Sequence, residues 1–451
     1  MSKRLLVKNG RVLTLDKSIG DFSNADILIE GKKIVAIEPS IDATDCEVID
    51  ATDMIVMPGF VDSHRHTWES LVRNIGPDWS LVKYLENIYY GNLGSLSRPQ
   101  DSYVANYLGA LEALDAGVTT LLDWSMIISP DHSDELIRGL QDSGIRAVFA
   151  HGVPGDGEYW SRDSVLEAQD SRRLKKQYFS SDDQLLTMGL AIRGPEFSSW
   201  EASVNEIKLA RELDAVCSMH LGFGTWGSVD RSIEKLHKAG LLGPDLNFVH
   251  ANTLSYGEYK LIADSGASIS VTPEIEMMMG HGYPATGLFI ENGGRPALGV
   301  DVVTSTGGDM FAQMKSAIQS ERSRVNEVTL ANSEMPVQLN ISTRDVLEFA
   351  TIDGAKALKL NHKVGTLIPG KDADFIMVRT TDLNMFPIND PVCAVTQCAH
   401  TGNVDSVFVA GKAVKRNGKL LNVDLDGLRK IAYESQEYIL TKFAEKKHVQ
   451  Q

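Results

Sequence analysis

Two rhythms of apolar and polar residues divide this chain. Up to residue 57 the apolar runs are short and separated by turn-forming pairs: 5–7, then Asn9-Gly10 and 12–15, and 27–29, then Glu30-Gly31 and 34–37. Asn-Gly between apolar runs predicts a β-hairpin, because the tight turn needs positive φ at its central positions. Beyond residue 58 helically spaced segments alternate with apolar strands. Residues 99–116 carry Tyr103, Tyr107, Leu111 and Leu114 at helical spacing and stop at Gly117, after which 118–122 is a buried strand ending at Asp123-Trp124. A second unit runs from Ser133 through Leu136, Ile137 and Leu140 to Gly144 and the strand 147–150. Farther on, 247–250, 268–271 and 297–300 read as strands, and Ser255-Tyr256-Gly257-Glu258 is a capping box opening a helix that reaches Gly266. The hairpin rhythm returns after about residue 362, in 365–378 and in 404–414 around Ala410-Gly411, and 428–446 reads as a closing helix.

Strands alternating with helices at this pitch are parallel βα units, and about eight of them suit a closed barrel better than an open sheet. The predicted fold is α/β: a (β/α)8 TIM-like barrel over residues 58–362, with a small β-sandwich domain built from both termini, 1–57 and 363–420, and a C-terminal helix within 421–451.

Composition narrows the class. With 451 residues, 43% of them hydrophobic, the chain can bury a large core. Its formal net charge is -16 and no basic block offsets the acidity, which argues against a nucleic-acid or membrane partner and for a small-molecule substrate. Cys46, Cys217, Cys393 and Cys398 are too scattered for a disulfide framework, and Cys393, Cys398 and His400 fit no common zinc knuckle. The first apolar run breaks too early for a signal peptide. No uncharged stretch approaches the roughly 18 apolar residues of a spanning helix, so the expected location is the cytoplasm.

The chemistry starts at Pro58-Gly59-Phe60-Val61-Asp62-Ser63-His64-Arg65-His66. On a strand, residues two apart project to one face, so both imidazoles point at one spot while Arg65 points to the other side. Alone, such a pair is more often two solvated side chains than half of a metal site. Catalytic groups in barrels sit at the C-terminal strand ends, and the polar residues there are His64, His66, Asp123, His151, Glu196, His220, His250, Glu274 and Asp301. His220, His250 and Asp301 each follow a clear apolar lead. Three imidazoles and a carboxylate hold one divalent metal and leave a position for water. The metal lowers the pKa of that water from 15.7 to roughly 7. A neighbouring carboxylate can take its proton, and a further histidine can polarise the attacked carbon.

At these residues the chain resembles the amidohydrolase superfamily over nearly its full length. Residues 56–66 resemble that family's first barrel strand, and Gly365-Thr-Leu-Ile-Pro-Gly-Lys-Asp-Ala-Asp374 its return to the small sheet domain. Segments 248–252, 266–273 and 297–301 resemble the branch of cytosine, guanine and adenosine-type deaminases and triazine hydrolases. The resemblance implies metal ligation by His64, His66, His220 and Asp301, a catalytic role for His250, and proton shuttling by Asp301. It implies one divalent metal, zinc first and iron as the alternative, and a homo-oligomer.

The chain departs from that branch at one position. A glutamate that protonates the substrate ring usually stands three residues after the fifth-strand histidine, and here Phe223 occupies it. Glu274 and Glu276 are the candidates to replace it, with His281 third. Trp68, Trp124, Glu196 and Phe223 are candidates for the substrate wall, for which plain packing is an equal reading. The loops 69–98 and 152–177 carry no readable code. The expected function is metal-dependent hydrolysis of a C–N bond, other than a peptide bond, in a small, cyclic nitrogenous compound, as a deaminase or a cyclic amide or urea hydrolase. A lyase or isomerase reusing the same metal pocket, and a pseudoenzyme, are the alternatives.

Overall fold

The computed structural model describes residues 4–152 and 168–449. Eight parallel strands form the barrel in chain order: Phe60–Arg65, Val118–Trp124, Arg146–His151, Leu186–Ile192, Val216–Leu221, Leu246–His250, Ser268–Val271 and Ala297–Leu298. The helices between them arise where the sequence spacing placed them. Pro99–Asp115 begins with proline in its first turn, where the missing N–H costs nothing, and Tyr256–Ser265 carries the reciprocal Ser255–Glu258 capping box. The eighth strand is short, and the barrel closes one step beyond it through a parallel bridge between Arg65 and Asp301.

The two chain ends build one nine-stranded mixed sheet. Its outer strand Lys33–Glu38 comes round to residues 370–373, where the Ile34 N–H donates to Lys371 O at 3.0 Å and the Ala373 N–H to Lys32 O at 2.7 Å. The sheet therefore wraps an apolar cluster of its own that includes Val7, Ile27, Ile29, Phe375 and Phe408. The buried Arg146 guanidinium pins this domain to the barrel, donating to Asp372 and Asp374 at 2.8 Å each.

One local expectation is overturned. Asn9-Gly10 is no hairpin turn but lies inside the single strand Arg4–Val12, at a register shift against Phe22–Glu30. Asn9 has φ 63, and a Cβ on Gly10 would fall 2.7 Å from Val56. The same pair of residues that closes a tight turn also makes a bulge, and here neighbouring strands supply the edges. Glu30-Gly31 is a true turn between antiparallel strands. The last helix, Leu425–Val449, packs on Pro99–Asp115, with Arg98 stacked 3.9 Å over the Tyr438 ring and Gln436 donating to Leu71 O at 2.9 Å.

Candidate active site

The barrel's closing seam is built from site residues. The Asp301 N–H donates to His64 O and the His66 N–H to Asp301 O, both at 2.9 Å. Asp301 holds φ 70, a region rarely adopted by non-glycine residues, and these two bonds keep it there. The strands approach so closely that a Cβ on Gly299 would sit 2.8 Å from His64 O. Strand alternation turns Arg65 to the opposite side, where it is buried among acceptors. It donates to Glu112 at 2.7 Å, to Gly308 O at 3.1 Å and to Asp62 at 3.3 Å.

On the inner side one ligand atom from each of His64, His66, His220 and Asp301 lies within 4.8 Å of the others. His64 Nε2 is 3.2 Å from His220 Nε2 and 3.3 Å from Asp301 Oδ1, and His66 Nε2 is 3.4 Å from the same oxygen. Burial pushes the His66 pKa down to about 3, helped by the neighbouring His64, and drives that of His220 well below its ordinary value. Burial opposes ionisation of Asp301, but the hydrogen bond and charge of His64, with His250 and His66, lower its pKa overall. Three imidazoles and one carboxylate aimed at a single point are a donor set that fits a divalent metal.

The two oxygens of Asp301 face different groups. Oδ1 belongs to the histidine cluster, whereas Oδ2 lies 3.8 Å from His250 Nε2 and 3.4 Å from Thr272 Oγ1. His250 ends the sixth strand, and it and Ala251 both have left-handed φ, 78 and 58. Its Nδ1 faces away from the cluster, 3.3 Å from Glu276 Oε1 and 3.2 Å from Thr272 Oγ1. Burial lowers the His250 pKa to about 4 and raises that of Glu276 to about 7.

A cavity opens onto this group. Its wall is largely apolar and aromatic, with Leu81, Leu85, Phe197, Ile275, Met279 and Val302 among its residues. Trp124, Phe223 and His281 line it as well. Phe223 packs against both His250, edgewise, and His281, tilted, with ring centroids 5.0 and 5.2 Å away. His281 is 3% exposed, neither ring nitrogen has a hydrogen-bond partner among the described residues, and burial, reinforced by His250, lowers its pKa to about 3.

Other candidate residues fall elsewhere. Trp68 sits behind the wall, donating from Nε1 to Trp124 O at 3.2 Å. Glu196 accepts the Gly222 N–H with both oxygens at 3.0 Å and so braces the turn after His220; burial raises its pKa to about 8. Glu274 turns to Gln313, which donates to it at 2.8 Å, and burial raises its pKa to about 7. Glu276 is fully buried behind His250 rather than in the wall. His151 bonds to Asp170 at 3.0 Å, and Asp123 accepts from Asn106 at 2.8 Å. Of the loop 152–177, residues 153–167 lie outside the described residues.

The structure adds wall residues that the sequence reading passed over: Arg193, Tyr84, Tyr89 and Tyr90. Arg193 directly follows the apolar strand Leu186–Ile192, so strand-end reasoning had the signal for it. The tyrosines come from the helix Leu81–Ile88 and the turn after it, where nothing in the spacing points at the barrel mouth.

A parallel barrel with a metal-ligand cluster at its C-terminal mouth and a sheet domain from both termini defines a class of metal-dependent hydrolases. The amidohydrolase family profile matches residues 55–414, and the chain belongs to that family. It is a metal-dependent hydrolase acting on carbon–nitrogen bonds. Among its relatives are a 5'-deoxyadenosine deaminase from Methanosarcina barkeri, 27% identical with 97% of this chain and 99% of that protein covered, and a 5-methylthioadenosine/S-adenosylhomocysteine deaminase from Pyrococcus abyssi, 26% identical with 89% and 92% covered. The fold matches that of an adenosine deaminase from Xanthomonas campestris solved with bound zinc, at TM-score 0.85 and 21% identity, covering 97% of this chain and 98% of that one. It also matches an atrazine chlorohydrolase mutant from Arthrobacter aurescens complexed with zinc and atraton, at TM-score 0.82 and 21% identity, covering 96% and 100%. Nothing in these relatives favours the lyase or isomerase alternative.

Proposed function

We propose that this chain hydrolyses a C–N bond within a small cyclic amide or ureide, with His64, His66, His220 and Asp301 holding one zinc ion. The observation that carries the metal reading is the convergence of those four ligand atoms within 4.8 Å. Held there, a divalent metal would supply the nucleophile by lowering the pKa of a water from 15.7 to about 7. Asp301 Oδ2, turned away from the other ligands, takes the proton of the attacking water. His250 Nε2 points into the same space and, once it has taken the proton from Asp301, polarises the attacked carbon's heteroatom. Trp124 and Phe223 flank the ring, and His281 is the expected substrate-touching replacement for the absent acid.

Phe223 and His281 favour ring opening over deamination. A phenyl ring cannot give a proton, and His281, its pKa lowered by burial, has no partner among the described residues to hand it one. An amide carbonyl needs no prior protonation of a ring nitrogen. The deaminase relatives support the second reading, release of ammonia from an aminated heterocycle. The test is to give zinc-loaded protein a panel of lactams, cyclic ureides and amino-substituted heterocycles and to measure carboxylate and ammonia. A new carboxylate without ammonia from the cyclic amides is the expected result. Ammonia from the amino-heterocycles with no new carboxylate overturns the ring-opening preference.

A further inference from the structure

Glu276 is a buried carboxyl that the mechanism above leaves unused. It sits on the short helix Pro273–Met279, behind the catalytic histidine and outside the cavity wall. Its Oε1 is held by the Thr272 N–H at 2.9 Å and lies 3.3 Å from His250 Nδ1. Its main-chain oxygen accepts the His281 N–H at 3.1 Å, so one residue anchors both histidines of the substrate side. An oxygen that already accepts a backbone N–H is oriented as an acceptor, so the matching proton belongs on His250 Nδ1.

We propose that Glu276 is the positioning residue of His250: it fixes the Nδ1–H tautomer, turns the Nε2 lone pair toward Asp301, and thereby makes His250 the acid for the departing nitrogen. The inference rests on the proposed hydrolysis for its direction of proton flow. A water O–H proton passes to Asp301 Oδ2 as the new C–O bond forms. It moves across the 3.8 Å gap to His250 Nε2, giving an imidazolium whose Nδ1–H stays bonded to the Glu276 carboxylate. The Nε2 proton then goes to the departing nitrogen as that atom takes the electron pair of the breaking C–N bond. The cycle closes with Asp301 ionised and His250 neutral, and it needs no further reactant. A carboxylate behind an imidazole plays the same two roles in the Ser-His-Asp triad, holding the tautomer and stabilising the cation.

Thr272 Oγ1 is the competing partner, 3.2 Å from the same nitrogen. The ring nitrogens of His250 are therefore read by ¹⁵N NMR in the full chain labelled at histidine, at pH 8, with and without one equivalent of zinc, the resonances being assigned with His250→Asn. The wild type and Thr272→Val are expected to show a protonated, hydrogen-bonded Nδ1 and a bare Nε2. Glu276→Gln is expected to lose that state with zinc content unchanged. On the substrate identified in the product screen, it is also expected to lower kcat by about 10²-fold or more, with KM little changed and partial recovery in Glu276→Asp. An Nε2–H tautomer in the wild type overturns the proposal, as does a tautomer lost in Thr272→Val but kept in Glu276→Gln. Because the tautomer is read with and without zinc, a chain that takes up no zinc counts against the metal site alone, and a misassigned tautomer counts against Glu276 alone.

Discussion

At the scale of single residues the substrate side is defined by what surrounds Phe223. The ring leaves His281 as a neutral polar group facing the cavity, 4.5 Å from His250 between ring centroids, with neither nitrogen partnered among the described residues. A buried polar group without a partner is costly, so substrate is expected to supply one. His281→Ala should lower kcat/KM by roughly fivefold to tenfold, the equivalent of about 1–1.5 kcal/mol for one hydrogen bond, without loss of metal. Steady-state kinetics beside metal analysis checks this; unchanged kinetics would remove His281 from the substrate contacts. The sequence held the ligands because each ends an apolar run, and it held Phe223 because the family resemblance gave it a position to be compared with. It did not place Glu196 or Glu276, because a strand-end or loop carboxylate looks the same in one dimension whether it faces the cavity or the back of a histidine.

At the scale of elements the site depends on the seam between the first and eighth strands. Two backbone hydrogen bonds at 2.9 Å join His64 and His66 to Asp301, and Gly299 lets the backbones meet. Gly299→Ala forces a methyl against His64 O, an overpacking expected to cost about 1–3 kcal/mol. It should also weaken metal retention, because it shifts two ligands and not merely the fold. Thermal unfolding together with zinc titration separates the two effects, and full zinc affinity in a destabilised variant would contradict the seam's part in the site. The barrel was legible because buried parallel strands and their crossover helices each leave a periodic trace. The eighth strand is the exception, reduced to Ala297–Leu298 since Asp301 leaves extended geometry to reach the cluster. Asn9-Gly10 misled for a related reason: positive φ is needed both in a tight turn and in a bulge, and only the partner strand distinguishes them.

For the molecule as a whole, burying carboxyls and imidazoles at one barrel mouth shapes stability against pH. Glu196, Glu274 and Glu276 have folded pKa values raised to about 8, 7 and 7 from 4.5, each chiefly by burial. Above pH 4.5 the folded chain keeps protons that the unfolded chain has released, so these groups make stability fall as pH rises toward about 8. His66, His250 and His281, lowered to about 3, 4 and 3 from 6.5 chiefly by burial, act oppositely: the unfolded chain binds the extra protons, and stability rises with pH up to about 6.5. Metal-free protein should therefore lose stability between pH 6.5 and 8.5, and Glu196→Gln, which keeps an acceptor for the Gly222 N–H, should flatten that fall. Urea midpoints across this range check it; a rise in the wild type would contradict the assigned protonation.

The most direct test of the account is the metal content of the purified full chain, measured as equivalents per chain in the wild type and in Asp301→Ala. One equivalent of zinc in the wild type, lost in the variant, is the predicted result. Iron in its place would change the ion but keep the site. Two equivalents would make His250 a ligand rather than a proton carrier, and no uptake, even after remetallation, would contradict the four-ligand site on which the proposed hydrolysis stands.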